Sequence, residues 1–226
     1  MCGRLSLTQE PIALIEGLQL IDARPEPFRP RYNIAPTQDV ATVIELAAGE
    51  RRLGYMRWGL IPFWAKDPAI GNRLINARAE TAAVKPAFRH SLRRRRCLVV
   101  ADGFYEWRRL PGQRRKQPYR IVLGEGEPFA FAGLWDRWQA PGGETIYSCT
   151  ILTTDANELV REIHDRMPVI LDLEGMKTWL NPAFDDPKEL QPLLRPFPAA
   201  RMRAYPVSTR VNSPANDDPS VIEPAS

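Results

Sequence analysis

Residue 2 of the chain is a cysteine, preceded only by Met1. Methionine aminopeptidase removes an initiator methionine when the next side chain is small, so the mature protein is expected to begin at Cys2. Its α-amine and thiol would then lie on adjacent carbons, a pair that no interior cysteine has, because an interior nitrogen is an amide. A 1,2-aminothiol condenses with an aldehyde to an imine, and the thiol then closes on the imine carbon as a thiazolidine. The α-amine titrates near pH ~8, and its ammonium form favours ionisation of the thiol. The alternative is an incidental cysteine in a frayed terminus.

Two further residues have side chains suited to proton transfer. Glu106 stands in the aromatic segment 103–107 (GFYEW), where it is expected to emerge at a strand end among rings. Loss of water around a carboxyl raises its pKa toward neutrality. His164 follows a predicted helix, whose carbonyl end favours the imidazolium form. The structural alternatives are an exposed Glu106 beside Trp107 and a His164 that only caps the helix. The other histidine, His90, lies in an Arg-rich stretch and is expected at the surface.

Arginines and aromatic residues supply features typical of nucleic-acid binding. The arginines that stand beside apolar or small residues are Arg4, Arg57, Arg78, Arg166 and Arg210. The aromatic residues that could stack on unpaired bases are Trp58, Phe63, Trp64, Tyr105 and Trp107. Core packing is the commoner fate of tryptophan, so most of the six tryptophans are assigned to the core. The basic run 93–96 is interpreted as a helix end or a remote phosphate contact, and 114–116 as a solvated hairpin tip.

The composition is that of an ordinary globular protein. The chain has 226 residues, of which 44% are hydrophobic and 26% charged, and its 22 prolines predict many loops. Three cysteines without CxxC spacing argue against a disulfide framework or zinc ribbon, and no metal or cofactor pattern is evident. No signal peptide or membrane span is evident, which predicts a cytoplasmic protein, nucleoid-associated when bound to DNA. The net charge of +4 favours a polyanionic partner, and the absence of heptads predicts a monomer.

Hydrophobic spacing predicts a mixture of short strands and helices. Strands are expected over 40–46, 54–61, 97–101, 119–123, 129–134 and 147–152, with a turn at 47–49. Helices are expected over 12–18, 82–91, 155–163 (capped by Thr154) and 174–180. This order predicts an α+β fold, mainly an antiparallel sheet or partial barrel flanked by helices. One domain is expected over 1–218, followed by a disordered tail over 219–226.

Several segments in the same order resemble one protein family. They are Cys2 to Arg4, 31–37 (RYNIAPT), 56–62 (MRWGLIP), 76–80 (NARAE), 101–107 (ADGFYEW), 164–168 (HDRMP) and 207–212 (VSTRVN). Together they resemble the SOS-response-associated peptidase (SRAP) family, the abasic-site-processing proteins of bacteria and eukaryotes. The resemblance extends from Cys2 to about Asp218. Val100 departs from it, because many relatives carry a proline there.

The resemblance implies a function in the DNA damage response. An abasic site in single-stranded DNA exists partly as a ring-opened aldehyde, which family members capture through the N-terminal cysteine as a thiazolidine crosslink that shields the strand. When the family's motifs are matched to this sequence, Cys2 supplies both the amine and the thiol. Asn76 would form a hydrogen bond at the reacting end of the sugar and position Cys2. Glu106 moves protons, and His164 opens the sugar ring and assists reversal.

The same resemblance implies how DNA is held. Arg4, Arg78 and Arg166 would contact phosphates beside the lesion. Trp58 or Trp64 would wedge beside the missing base. No metal or nucleotide cofactor is implied.

Three other functions stay open from the sequence. One is a cysteine peptidase or amidohydrolase that uses Cys2 as N-terminal nucleophile and removes Met1 autocatalytically, assisted by Glu106 and His164. Another is a passive single-strand-binding module with an inert Cys2. Metal binding by Cys2 and His164 lacks further ligands. Crosslinking is favoured because it alone explains a thiol at residue 2, and its imine step also makes a lyase reaction, β-elimination, chemically possible.

Overall fold

A computed structural model describes residues 2–46, 49–112 and 114–225 and has an α+β fold. The strands are Leu5–Leu7 (β1), Ile21–Asp22 (β2), Arg31–Ile34 (β3), Asp39–Glu45 (β4), Arg51–Trp58 (β5), Asn76–Arg78 (β6), Arg96–Ala101 (β7), Gly103–Arg108 (β8), Gln117–Leu123 (β9), Phe129–Gln139 (β10), Thr145–Asp155 (β11), Arg166–Pro168 (β12), Ile170–Leu171 (β13) and Met202–Pro206 (β14). The α-helices are Ile12–Leu18 (α1), Ala79–Ala82 (α2), Arg89–Arg94 (α3), Glu158–Arg161 (α4), Leu173–Leu180 (α5) and Pro187–Leu190 (α6). Short 3₁₀ helices lie at Pro68–Arg73, Gln191–Leu193, Ala199–Arg201, Thr209–Asn212 and Pro219–Val221.

The first sheet is antiparallel and carries the N-terminal strand at an inner position. Its order is β14-β9-β8-β1-β3. Leu5 of β1 is paired with Phe104 of β8, and Ser6 with Gly103. The backbone N–H of Tyr105 also donates to the Arg4 carbonyl at 3.0 Å, so the alignment continues toward the N-terminus. The residues that follow Cys2 are therefore held directly beside the strand that contains Glu106.

The second sheet curls into a partial barrel. Its main path is β12-β11-β10-β7-β4-β5-β2, and a parallel pairing of β11 with β5 brings two members of that path together again. The short strand β6 pairs in parallel with β11, while β12 pairs with β11 in the antiparallel sense. Asn76 and Arg166 thus lie on strands that both pair with β11.

The two sheets share one hydrophobic core. Phe104 of the first sheet meets Phe131 of the second edge to face, with ring centroids 5.9 Å apart. Trp58 and Trp179 are fully buried in the same cluster, as is Cys2. Burial of such large side chains is the main stabilising term of a domain of this size.

Most predicted strands are confirmed, and each differs from the prediction only at its ends. The predicted helices at 12–18 and 174–180 are also confirmed, as α1 and α5. Helix α5 begins after Asp172, whose side chain accepts the Gly175 backbone N–H at 2.8 Å and so caps the helix. Of the turn predicted at 47–49, residues 47 and 48 lie outside the described parts of the chain.

Two predicted helices differ from the structure. The helix expected over 82–91 is replaced by turns between α2 and α3, because Pro86 cannot continue a helix. The helix expected from Asp155 begins later, since β11 continues to Asp155 and pairs there with Arg166. Asn157, not Thr154, caps α4 by accepting the Val160 N–H at 2.9 Å. Tertiary pairing outweighs local helix propensity at this point.

A disordered tail was predicted over 219–226, and its described residues, 219–225, contact the rest of the domain. Val221 is fully buried in a cluster with Tyr105 and Val211. Val207 and Pro224 form an isolated β-bridge. Within this polar segment, the apolar side chain of Val221 thus packs against the rest of the domain.

Within the described residues, no helix is both long and apolar enough to cross a lipid bilayer.

Candidate functional site

The candidate catalytic residues come from both sheets and meet where the sheets face each other. Cys2 immediately precedes the first-sheet strand β1, and Glu106 lies within β8. Asn76 begins β6, and His164 lies between α4 and β12. The side-chain amide of Asn76 donates to the Cys2 carbonyl at 2.6 Å and so joins the two sheets. The structure therefore brings together all four residues that the sequence nominated for catalysis.

The Cys2 thiol is shielded from water. The residue is fully buried, and its Sγ lies 4.0 Å from the Arg4 carbonyl oxygen. Burial raises the pKa of this thiol well above its usual range, and the Glu106 carboxylate raises it further. The nearby amino terminus lowers the pKa of the thiol, as the sequence predicted, but the effect of burial is larger and opposes ionisation. A base must therefore remove its proton before sulfur can act as a nucleophile.

Glu106 is a buried carboxyl close enough to Cys2 to affect the pKa of the thiol. It lies inside β8, not at the strand end that the sequence predicted, and only 2% of it is exposed. Continuing the pairing of Leu5 with Phe104 by two residues places Gly3 opposite Glu106. Burial raises the pKa of Glu106, and the nearby His164 opposes this shift. A carboxyl with a raised pKa exchanges protons efficiently near neutrality.

Asn76 presents an unused acceptor beside Cys2. Its Nδ2 is occupied by the Cys2 carbonyl, whereas its Oδ1 is buried and has no hydrogen-bond partner among the described residues. A buried polar atom without a partner costs about 1–3 kcal/mol. The cost is relieved when a ligand hydroxyl donates to this oxygen.

His164 is oriented by its own loop. Its backbone N–H donates to the Val160 carbonyl at 2.8 Å, which continues the last turn of α4. Its Nδ1 accepts the Arg166 backbone N–H at 3.0 Å, which fixes the orientation of the ring. The same Nδ1 lies 2.8 Å from the carboxylate of the highly exposed Asp165.

The three predicted phosphate-binding arginines are in different situations. Arg78 is exposed, and no described residue makes a side-chain hydrogen bond or ion pair with its guanidinium. Arg4 donates through Nη1 to Asn33 Oδ1 at 2.7 Å and to the Val211 carbonyl. Its guanidinium also lies over the Trp107 ring, 5.9 Å from the centroid. Arg78 is thus immediately available to an anion, whereas Arg4 is already anchored.

Arg166 is bound by two carboxylates. Its guanidinium makes a bidentate pair with Glu80 at 2.7 and 2.9 Å and contacts Asp155 at 2.6 Å. Burial alone would lower the pKa of Arg166, but these contacts outweigh it and raise the pKa. They also lower the pKa of Glu80. This arginine holds α2 against β12, and a phosphate would have to compete with Glu80 for it.

The two predicted tryptophan wedges are also distinguished by the structure. Trp58 is fully buried, and its indole N–H donates to the Ile75 carbonyl at 2.9 Å. The expectation that Trp58 could stack beside DNA is corrected, because β5 directs its ring into the core. Trp64 is 48% exposed and follows Phe63, which is 53% exposed. The exposed aromatic pair in the loop after β5 is therefore Phe63 and Trp64.

The sequence did not nominate Asn33, which connects the site to the C-terminal segment. Its amide donates to the carbonyls of Val211, Ser213 and Asn216 at 3.2, 2.9 and 2.7 Å, while its Oδ1 accepts from Arg4. The signal was present in the segment 31–37, where Asn33 is the one side chain with both donor and acceptor on an amide.

The described residues contain no group of three or more His, Cys, Asp or Glu arranged to hold a metal ion. The candidate site is thus made of one thiol, one carboxyl, one imidazole and one amide.

Comparisons with known proteins identify the class. The family model for SOS response associated peptidase (SRAP) matches residues 1–214. The abasic site processing protein YoqW of Bacillus subtilis is 51% identical over 224 residues, which is 99% of each chain. The abasic site processing protein HMCES of Xenopus tropicalis is 33% identical over 97% of this chain and 77% of its own. A crystallised protein from Bacteroides thetaiotaomicron superposes with a TM-score of 0.87 at 30% identity, over 99% of this chain and all of its own. The chain belongs to the SRAP family.

Proposed function

We propose that this protein recognises abasic sites in single-stranded DNA and captures them covalently through Cys2. The names of YoqW and HMCES as abasic site processing proteins support this substrate. The observation that carries the proposal is the Asn76 amide on the Cys2 carbonyl, beside a buried Glu106. This arrangement orients the first residue of a chain without Met1, where amine and thiol share adjacent carbons.

The reaction forms two bonds at one carbon. The α-amine of Cys2 adds to C1′ of the ring-opened sugar, and loss of the aldehyde oxygen as water leaves an imine. Sγ then adds to C1′ while the imine nitrogen takes up a proton. The product is a thiazolidine, and the only molecule released is water.

Glu106 supplies the proton transfers that these steps need. As a carboxylate it accepts the thiol proton, which burial otherwise keeps on sulfur. As an acid it protonates the departing hydroxyl of the first adduct. Burial raises the pKa of this carboxyl, which suits it to exchange protons in both directions. The buried Oδ1 of Asn76 accepts a hydroxyl hydrogen of the sugar and thereby aims C1′ at Cys2.

His164 assists opening of the closed sugar. When the C1′ hydroxyl loses its proton, the bond from C1′ to O4′ breaks, and O4′ must gain a proton. The His164 imidazole, held in place by the Arg166 backbone, is the group that supplies it. Reversal of the crosslink requires the same transfers in the opposite direction. Arg78, which the described residues leave available, contacts a flanking phosphate.

Crosslinking is tested by mixing the purified protein with a single-stranded oligonucleotide that carries one abasic site. We expect an adduct that survives a denaturing gel, with an intact mass equal to protein without Met1 plus DNA minus one water. Cys2→Ala and a form with extra residues before Cys2 are expected to lose it.

Two outcomes would contradict covalent capture. If Met1 is removed and no adduct forms, while DNA binding persists equally in Cys2→Ala, the protein is a passive single-strand binder. If instead a peptide or amide is cleaved in a Cys2-dependent way, it is an N-terminal-nucleophile hydrolase.

The exposed aromatic loop yields a separate prediction for DNA affinity. Trp64→Ala is expected to weaken binding to abasic single-stranded DNA by about 1–3 kcal/mol, since one stacking surface is lost. Fluorescence anisotropy with a Cys2→Ala background measures binding without crosslinking. Trp58→Phe is the matched control, because it alters a buried ring and should lower the melting temperature without changing affinity. Equal affinity losses in both variants would show that general destabilisation, not stacking, is responsible.

A further inference from the structure

A buried ion pair lies beside the short pairing of β1 with β8. The carboxylate of Asp102 is fully buried and accepts Nη2 of Arg120 at 3.0 Å. It also accepts the Ser6 hydroxyl at 2.7 Å, the Thr8 hydroxyl at 2.6 Å and the Thr8 backbone N–H. Every donor to Asp102 except Arg120 thus comes from β1 or the residue that follows it.

Arg120 completes the cluster from β9. Its Nε and Nη2 donate to the Ser6 hydroxyl oxygen at 3.3 and 3.2 Å, and its Nη1 donates to the Tyr205 hydroxyl at 2.8 Å. A Cβ on Gly103 would lie 2.8 Å from Arg120 Nε and 2.9 Å from Ser6 Oγ. Glycine at 103 is therefore what lets the guanidinium lie across β8. The cluster joins β1, β8 and β9 at one point.

A buried ion pair of this kind specifies an arrangement more than it stabilises one. Removing two charges from water costs free energy that only a complete set of partners offsets. If β1 slipped by one residue along β8, Ser6 and Thr8 would leave Asp102, and a buried charge would lose its partners. The β1–β8 alignment extends over few residues, so its backbone bonds alone specify register weakly.

The same register sets the distance between the reacting groups. Ser6 lies four residues after Cys2, and Asp102 lies four residues before Glu106, immediately ahead of the paired strand β8. A slip of one residue would move Cys2 by about 3.3 Å relative to Glu106. Direct proton transfer needs heavy atoms about 2.6–3.2 Å apart, so such a slip would separate base from thiol.

We propose that Asp102 and Arg120, bridged by Ser6, are positioning residues that hold Cys2 in register with Glu106. They act through β1 and β8 and do not contact the reacting atoms. This inference rests on the proposed crosslinking function.

The test compares crosslinking rates of wild type, Asp102→Asn and Ser6→Ala over a range of abasic DNA concentrations. Asp102→Asn removes the buried charge. Ser6→Ala removes only the bridging hydroxyl, so its crosslinking rate tests the proposal if Asp102→Asn fails to fold. Glu45→Gln is the matched control, because it disturbs the largely buried Glu45–Arg51 pair in the second sheet. Thermal unfolding is measured for each protein, and the pH dependence of the maximal rate is recorded.

Positioning predicts a maximal rate roughly ten- to a hundredfold lower in both variants, with the half-saturating DNA concentration nearly unchanged. The pH profile should also flatten, because Glu106 no longer controls the thiol proton. Rates within twofold of wild type, or an equal loss in Glu45→Gln at similar melting temperature, would overturn the inference. Absence of an adduct with the wild-type protein would instead contradict the proposed function itself.

Discussion

Cys2→Ser is expected to abolish the denaturation-resistant adduct while leaving an imine that borohydride traps. Serine keeps the α-amine, so the first bond to C1′ still forms. Its hydroxyl is a far weaker nucleophile than a thiolate, so the ring does not close, and the imine hydrolyses on denaturation. Gels run with and without borohydride, on abasic single-stranded DNA, should show an adduct only after reduction.

A matched control distinguishes the α-amine of residue 2 from lysine and cysteine side chains that could also attack the aldehyde. Cys2→Ser with extra residues before position 2 lacks the positioned amine and should give no adduct under either condition. Cys97 and Cys149 are interior cysteines whose backbone nitrogens are amides, so neither can replace Cys2 in forming a thiazolidine. A stable adduct of Cys2→Ser without reductant would show that another group captures the aldehyde. Failure of borohydride trapping would exclude the amine from the reaction.

Glu106→Gln is expected to slow adduct formation by about 10²- to 10⁴-fold, the usual contribution of a general acid–base group. Glutamine has nearly the same shape, so DNA affinity should change little. Because the lost function is proton transfer, the rate of the variant should rise with hydroxide concentration as the thiol ionises without assistance. Single-turnover kinetics between pH 5 and 9 measure this. A variant rate within tenfold of wild type at neutral pH would remove Glu106 from the mechanism.

Glu106→Gln should also make the protein more stable than wild type, by a margin that grows as pH rises. Burial raises the pKa of Glu106 above the unfolded value of about 4.3. Below that pH the folded and the unfolded protein both hold the proton, so wild type has the full stability that protonated Glu106 contributes. As pH rises toward the folded pKa, the unfolded state releases its proton first, and this stability is lost. Glutamine does not ionise, so the variant gains melting temperature relative to wild type from pH 4 to pH 8. A relative loss over this range would contradict the raised pKa.

Together, these opposing effects would mean that Glu106 is retained for chemistry at a cost in stability. A buried carboxyl with a raised pKa is a typical feature of catalytic sites. The structural alternative, an exposed Glu106 packed beside Trp107, is excluded by its burial within β8.

Side-chain chemistry and short-range patterning could be interpreted from the sequence alone. An aminothiol at Cys2 is a property of the residue and its position, and the aromatic neighbours of Glu106 in the segment 103–107 can be identified in the sequence itself. Six of the strands could be predicted because their apolar patterns are local, and the helix 174–180 because its spacing lies within one segment. These properties depend on neighbours in sequence.

Partnerships between distant residues were decided only by the tertiary structure. Arg166 and Glu80 are separated by 86 positions, and nothing local indicates that a predicted phosphate ligand is already paired. Trp58 and Trp64 look alike in sequence, yet β5 buries one while the following loop exposes the other. Asp102 and Arg120 form their pair only because β1, β8 and β9 align. Local propensity specifies which elements form, whereas the free energy of burying charges and rings specifies which of their side chains meet.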